Sequence, residues 1–130
     1  MSTFPSIAHV AVTVRDLEVS VPWYTALFEA PPVLDEDTGP FRHVVWMLGR
    51  TLLGLHQFPD TDTATPFSER RVGLDHVAFA CTDRAELERW VTRLDALGIK
   101  HGAVNDAGYG SALSFRDPDE LPLEFFAPPA

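Results

Sequence analysis

The chain has a single cysteine, two methionines, and only 10 lysine and arginine residues against 19 aspartate and glutamate. One cysteine, Cys81, excludes an intrachain disulfide framework and any multi-cysteine zinc site. A formal net charge of −9 leaves no basic stripe to neutralise a run of phosphates, which excludes a dedicated nucleic-acid binder. Apolar runs such as Val44 to Leu48 are far too short to span a bilayer, so no membrane role is expected. The opening Met1-Ser2-Thr3-Phe4-Pro5 lacks the basic flank and apolar stretch of a signal peptide, and a cytoplasmic protein is expected. Nothing suggests a nucleotide cofactor. What is present is 130 residues, 45% hydrophobic and 22% charged, the composition of one globular domain with a real core.

That length hides a repeat. Ile7-Ala8-His9-Val10-Ala11-Val12 resembles Leu74-Asp75-His76-Val77-Ala78-Phe79 at an offset of 67, which also pairs Asp16 with Asp83, Trp23 with Trp90 and Leu27 with Leu94. Further on, an offset of 68 pairs Leu53 with Leu121, Leu55 with Leu123, His56 with Glu124 and Phe58 with Phe126. Between the copies, Pro59-Asp60-Thr61-Asp62-Thr63-Ala64-Thr65-Pro66 is polar and proline-bounded, as a linker would be. We expect one domain of two modules, about 5–58 and 73–127, joined by a linker at 59–72.

Each module reads as strand, helix, three strands. In the first, Ile7–Val14 is rich in β-branched residues and Asp16 opens a helix to about Phe28, with Pro22 expected near its first regular turn. Strands are expected near 32–37, 41–48 and 51–58. In the second, Leu74–Thr82 is a strand, and Asp83 opens a helix with Glu86 in the capping-box position and Gly98 as its stop. Strands near 100–105, 112–117 and 121–126 complete it. The expected class is α+β: two tandem βαβββ modules forming an open, mostly antiparallel eight-stranded cup with the helices outside.

Strand periodicity sorts the side chains. The Val10/Val12/Val14 and Val77/Phe79/Cys81 faces suit the helices, which leaves His9 and His76 inward; likewise His56 opposes Leu53 and Leu55, and Glu124 opposes Leu123 and Phe125. Taken singly, a strand histidine is more often a hydrogen-bonded pocket residue than a ligand. Glu124 differs, because an ionised carboxylate among Leu123, Phe125 and Phe126 is costly to bury without a partner. A divalent cation held by His9, His56, His76 and Glu124 resolves that cost. Three imidazoles and one carboxylate suit Fe(II), Mn, Co, Ni or Zn, and suit Mg or Ca poorly. Tyr109, between Gly108 and Gly110, and His43, alternating with Phe41 and Val45, are candidate substrate-binding residues. Trp23 and Trp90 read as core packing, Cys81 as a small buried hydrophobe, and His101 as structural, with no evident mate.

Together, the paired βαβββ units, the opening Ile7–Val12 with Val14-Arg15-Asp16-Leu17, Ser20 and Trp23-Tyr24, and the close Phe115-Arg116-Asp117-Pro118-Asp119 with Leu123-Glu124-Phe125-Phe126 resemble the vicinal oxygen chelate superfamily. That superfamily includes glyoxalase I, extradiol dioxygenases, methylmalonyl-CoA epimerase, fosfomycin-resistance thiol transferases and bleomycin-binding proteins. The resemblance implies that His9, His76 and Glu124 occupy the places of a two-histidine, one-carboxylate metal set. His56 falls at a fourth place that is a carboxylate or glutamine in the glyoxalases and the epimerase. Such a site carries +1 with a divalent ion and favours an anionic enolate or catecholate. It further implies a metal-dependent enzyme that chelates a small metabolite through adjacent oxygens, in glyoxalase-like lyase or isomerase chemistry or in extradiol-dioxygenase chemistry, with Glu124 or His56 as the catalytic base. A metal-free protein that sequesters a cationic drug in an acidic cleft is the alternative. A homodimer is expected, since the edges of open sheets need covering.

Overall fold

Two aspartates one repeat apart each end an extended segment and start a helix. The Asp16 carboxylate accepts a hydrogen bond from Glu18 N (2.9 Å) and that of Asp83 accepts one from Glu86 N (2.8 Å), each filling the role of an N-cap. Glu86 reaches back as a capping box requires, although its carboxylate accepts from Thr82 N (2.7 Å), one residue before the cap. The structure, a computed structural model, describes residues 3–130. It divides into two units that meet at Thr65 and Pro66. The first holds β1 (His9–Thr13), α1 (Leu17–Phe28), β2 (Leu34–Asp37), β3 (Arg42–Leu48) and β4 (Thr51–Gln57). The second holds β5 (Val77–Ala80), α2 (Arg84–Ala96), β6 (Asn105–Ala107), β7 (Gly110–Arg116) and β8 (Pro122–Ala127). Each is a βαβββ unit, and the α+β class follows.

The eight strands divide equally between two mixed sheets, ordered β1-β4-β3-β2 and β5-β8-β7-β6, and neither sheet closes on itself. In each, the first strand runs parallel to the last, while the other neighbours are antiparallel. One face of each sheet carries that unit's helix. In the first unit Val12, Val44, Trp46, Leu53 and Leu55 are buried, as are Leu17, Ser20, Tyr24 and Leu27 of α1. Trp46 Nε1 donates to the Ala30 carbonyl (3.1 Å), so the largest core side chain keeps its polar atom satisfied. In the second unit Leu113, Phe115, Leu123 and Phe125 are buried, as are Leu87 and Leu94 of α2. Trp90 stacks on Phe125 with centroids 4.1 Å apart, the core role expected of it. Cys81 is buried, and burial pushes its thiol up to about 11, which keeps it an unreactive thiol at neutral pH.

Several boundaries differ from the sequence reading. Pro22 lies in the interior of α1, where the missing N–H leaves the Glu18 carbonyl without its helical donor; the buried stripe and the Asp16 cap hold the helix through it. β5 spans Val77–Ala80, not Leu74–Thr82, so His76 sits just before it. By the β5–β8 register His76 would face Pro122, which has no N–H to extend the ladder. β1 likewise starts at His9, with Leu52 N bonded to the Ala8 carbonyl just outside it. The strand expected at 100–105 is reduced to one bridge, His101 with Phe115, and β6 forms at Asn105–Ala107. Gly102 interrupts the earlier segment, and the Gly108–Gly110 turn selects the later one. Gly98 stops α2 as expected: at φ 71° it donates to the Asp95 carbonyl while Ile99 N donates to that of Leu94, a Schellman closure.

His101 does have a mate. Nδ1 donates to the Gly102 carbonyl and Nε2 to Asp95 Oδ1, both at 2.7 Å. With both nitrogens donating, the imidazolium form is favoured, and these two bonds raise the pKa above the ordinary 6.5. A raised folded-state pKa stabilises fully below the unfolded value, and that stabilisation disappears as pH rises through the folded value. His101→Gln is therefore expected to lose about 1 kcal/mol relative to the wild type at pH 5.5 and almost nothing at pH 8.5, read from denaturant melts at the two pH values. An equal loss at both would show that packing, not charge, is what His101 contributes.

Candidate metal centre

The sheet face turned away from α1 is laid out by register as three rows. Glu36, His43, His56 and Thr13 form one; Leu34, Val45, Gly54 and Ala11 the next; Met47, Leu52 and His9 the third. Side chains of paired residues share a face, so His9 and His56 lie on the same open surface, as the periodicity required. His56 is clamped by aromatic rings. Phe41 stacks on it nearly parallel (4.8 Å, 14°) and His43 meets it edge-on (5.2 Å, 67°). Burial, followed by the neighbouring His43 and His9, holds His56 below the ordinary imidazole value, so it is neutral at pH 7 and keeps a nitrogen lone pair. His43 Nε2 lies 3.9 Å from Glu36 Oε1 across the β2–β3 pair.

The second unit presents a tighter arrangement. Ala78 pairs with Glu124, which places His76 and Glu124 on one face, and His76 Nε2 lies 3.8 Å from Glu124 Oε1. Two donors at about 2.1 Å from one tetrahedral ion lie about 3.4 Å apart, so a closing movement of a few tenths of an ångström brings this pair to the separation a shared divalent cation needs. The opposite nitrogen, His76 Nδ1, is 2.7 Å from Asp75 Oδ1. An Nδ1–H donated to Asp75 fixes the tautomer and leaves Nε2 as the donor atom, the usual carboxylate support of a metal-binding histidine. Strand periodicity gives no sign of Asp75; its only signal in the sequence is the Asp75-His76 dipeptide. The ring of Tyr109, itself 74% exposed, lies parallel to that of Phe126 (6.2 Å, 10°), two residues from Glu124.

One sequence correspondence needs correction. Ala11 is the counterpart of Ala78 at the offset of 67; Ala11 pairs with Gly54 and Ala78 with Glu124. The closing strands therefore correspond at an offset of 70, not 68, and the position equivalent to Glu124 is Gly54. His56 stands two residues beyond it, on the same face. Among the described residues, no three His, Cys, Asp or Glu side chains converge as a metal-holding group; the second unit brings His76 to 3.8 Å from Glu124, whereas His9 and His56 share a face of the first unit two rows apart.

A separate cavity of about 290 Å³ opens at the start of α1, lined by Asp16, Glu18, Asp37, Phe41, Arg42 and Phe58. Its acidity is partly spent: Arg42 donates to Asp35 through Nε (3.1 Å) and Nη2 (3.0 Å) and to Glu18 through Nη1 (3.0 Å).

With this geometry in hand, comparison with known proteins is informative. Residues 6–125 match the family model of the Glyoxalase/Bleomycin resistance protein/Dioxygenase superfamily. The chain belongs to that superfamily. A superfamily relative, metallothiol transferase FosB of Staphylococcus saprophyticus, is 28% identical over 116 residues, covering 88% of this chain and 71% of that protein. The crystal structure of a glyoxylase/bleomycin resistance protein/dioxygenase domain from Frankia sp. EAN1pec superposes with a TM-score of 0.87 at 27% identity, covering 98% of this chain and 94% of that one. That of lactoylglutathione lyase from Agrobacterium tumefaciens gives 0.74 at 25% identity, covering 97% and 96%. Superfamily membership accounts for the paired βαβββ units, and the choice of reaction rests on the side chains.

Proposed function

We propose that this protein is a metal-dependent enzyme of the superfamily, which binds a small oxygenated metabolite through adjacent oxygens and moves a proton on it. The observation that carries the reading is the His76–Glu124 pair, with Asp75 orienting the imidazole. His9 and His56, which share the open face of the first unit, are that unit's proposed donors. A transition metal such as Fe(II), Mn, Co, Ni or Zn, when bound, acts as a Lewis acid on the chelated oxygens. Glu124 is the one carboxylate of the set, and its second oxygen, Oε2, accepts the substrate proton. His43 and Tyr109 line the approach on their respective units and orient the substrate. The protein works in the cytoplasm as a homodimer; in support, the open face of the first sheet exposes apolar side chains, with Met47 at 54% and Leu34 at 40%.

The test begins with metal analysis of protein purified without a histidine tag. About one equivalent per chain is expected, with thermal stabilisation on adding Mn, Co, Ni or Zn to the stripped protein. Less than about a tenth of an equivalent and no stabilisation would overturn the reading. The loaded protein is then offered hemithioacetals, thiol acceptors and catechols. Proton-transfer turnover without oxygen uptake is expected; oxygen uptake with catechols under Fe(II) loading would replace it with dioxygenase chemistry. A second reading, a metal-free binder of cationic drugs, is favoured only by the acidic, aromatic-walled cavity at the start of α1, and Arg42 already offsets one of the carboxylates that line it, Glu18.

A further inference from the structure

Gly54 sits in the middle of β4, where a glycine costs strand stability and packs nothing. Nothing in the fold demands it. Its backbone does not adopt a positive φ, and a β-carbon there would make ordinary van der Waals contacts with Val45 Cγ2 (3.7 Å), Ala11 Cβ (3.8 Å) and His56 Nε2 (3.8 Å). The third of these contacts is informative. The imidazole of His56 leans back along the strand, so that its Nε2 lies over the position that register equates with Glu124. Phe41 stacks on the ring and His43 holds its edge, and among the described residues its nitrogens have no hydrogen-bond partner. A half-buried imidazole with an unused donor atom, held by rings over an empty seat, is built to present that atom outward.

We propose that Gly54 is a positioning residue: by carrying no bulky side chain, it leaves room for His56 to set Nε2 over the position of the first unit that corresponds to Glu124 in the second. The two units thus fill one equivalent position by different means, a carboxylate grown from the position itself and an imidazole reaching over from two residues along. The inference rests on the metal reading above and deepens it. It also assigns a specific cost to any bulky side chain at residue 54, which would push the imidazole off its seat without disturbing the helix-side core.

The experiment is a competition titration of Mn(II) and Zn(II) against a chromogenic chelator on the full chain, with melting curves for every variant. Wild type and Gly54→Ala are expected to agree within about 3-fold, because a methyl group fits. His56→Ala and Gly54→Val should each weaken the metal by at least about 10-fold with little change in melting. The double variant Gly54→Glu with His56→Ala should recover most of that loss, since a carboxylate at residue 54 occupies the seat directly, and Gly54→Leu with His56→Ala should not. The d–d absorption of the Co(II)-loaded proteins should change in His56→Ala and again in the rescued double variant, a signature that a purely structural role would not produce. If His56→Ala or Gly54→Val binds metal as tightly as the wild type, or if the glutamate fails to rescue in a folded protein, the inference falls and the metal reading stands. Should the glutamate variant not fold, Gly54→Val alone decides. A wild type that binds no metal overturns both.

Discussion

His76→Ala is expected to lower affinity for a divalent transition metal by at least about 100-fold, and Asp75→Asn by about 10- to 100-fold. The first loss is that of a direct donor whose Nε2 faces the Glu124 carboxylate at 3.8 Å. The second is subtler. Asp75 Oδ1 sits 2.7 Å from Nδ1 and selects the tautomer with the proton on that nitrogen. An asparagine keeps the size and can still accept a hydrogen bond through its amide oxygen, but makes a weaker bond to Nδ1–H than the carboxylate does. It can also turn its amide nitrogen toward Nδ1, which would favour the wrong tautomer. Chelator competition at pH 7.5 measures both variants against His101→Gln, whose ring is engaged by Asp95 and Gly102 and which should match the wild type. If Asp75→Asn matches the wild type as well, the 2.7 Å contact is an incidental surface ion pair.

Gly110→Ala is expected to be among the most destabilising single-methyl additions in the chain, costing about 3 kcal/mol or more. Gly110 opens β7 at φ 147°, and a β-carbon there would lie 2.5 Å from the Ala127 carbonyl oxygen and would overlap Phe126 Cζ. The phenyl ring can swing aside, but the carbonyl belongs to the β7–β8 ladder and cannot move without breaking the Ser111–Ala127 pairing. Since single domains are stable by only about 5–15 kcal/mol, this one methyl removes a large share. Urea unfolding should show a lower midpoint with an unchanged slope. A loss of unfolding free energy under about 0.5 kcal/mol would mean that the turn relaxes freely. Tyr109, stacked over Phe126, should become more mobile in the same variant, because the ring that supports it must shift.

The sequence carried the helices and the faces well, for definite reasons. Asp16 and Asp83 are caps whose chemistry is local, and Val10, Val12 and Val14 alternate too cleanly to be anything but one face of a strand. Register was harder. Leu53 and Leu55 match Leu121 and Leu123 at an offset of 68, yet the true correspondence is 70. A two-residue slip preserves the alternation of faces, so periodicity cannot detect it. His56 was therefore placed on the correct surface and two positions away from its supposed equivalent, while Gly54 went unnoticed because a missing side chain leaves no pattern. Asp75 was overlooked for the opposite reason: its contact with the adjacent His76 depends on a side-chain rotamer, about which strand period is silent. The ends of β5 and β6 were missed because Pro122 and Gly102 act on pairing partners remote in sequence.

In both sheets the first strand of a unit lies beside its last, in parallel. This places a kinetic condition on the candidate centre. The β5–β8 neighbours that bring His76 to Glu124 close the longest loop in their unit, after a helix and two other strands have been made, and such closures are entropically late. A refolding chain therefore does not bring His76 to Glu124 until its final strand docks beside β5.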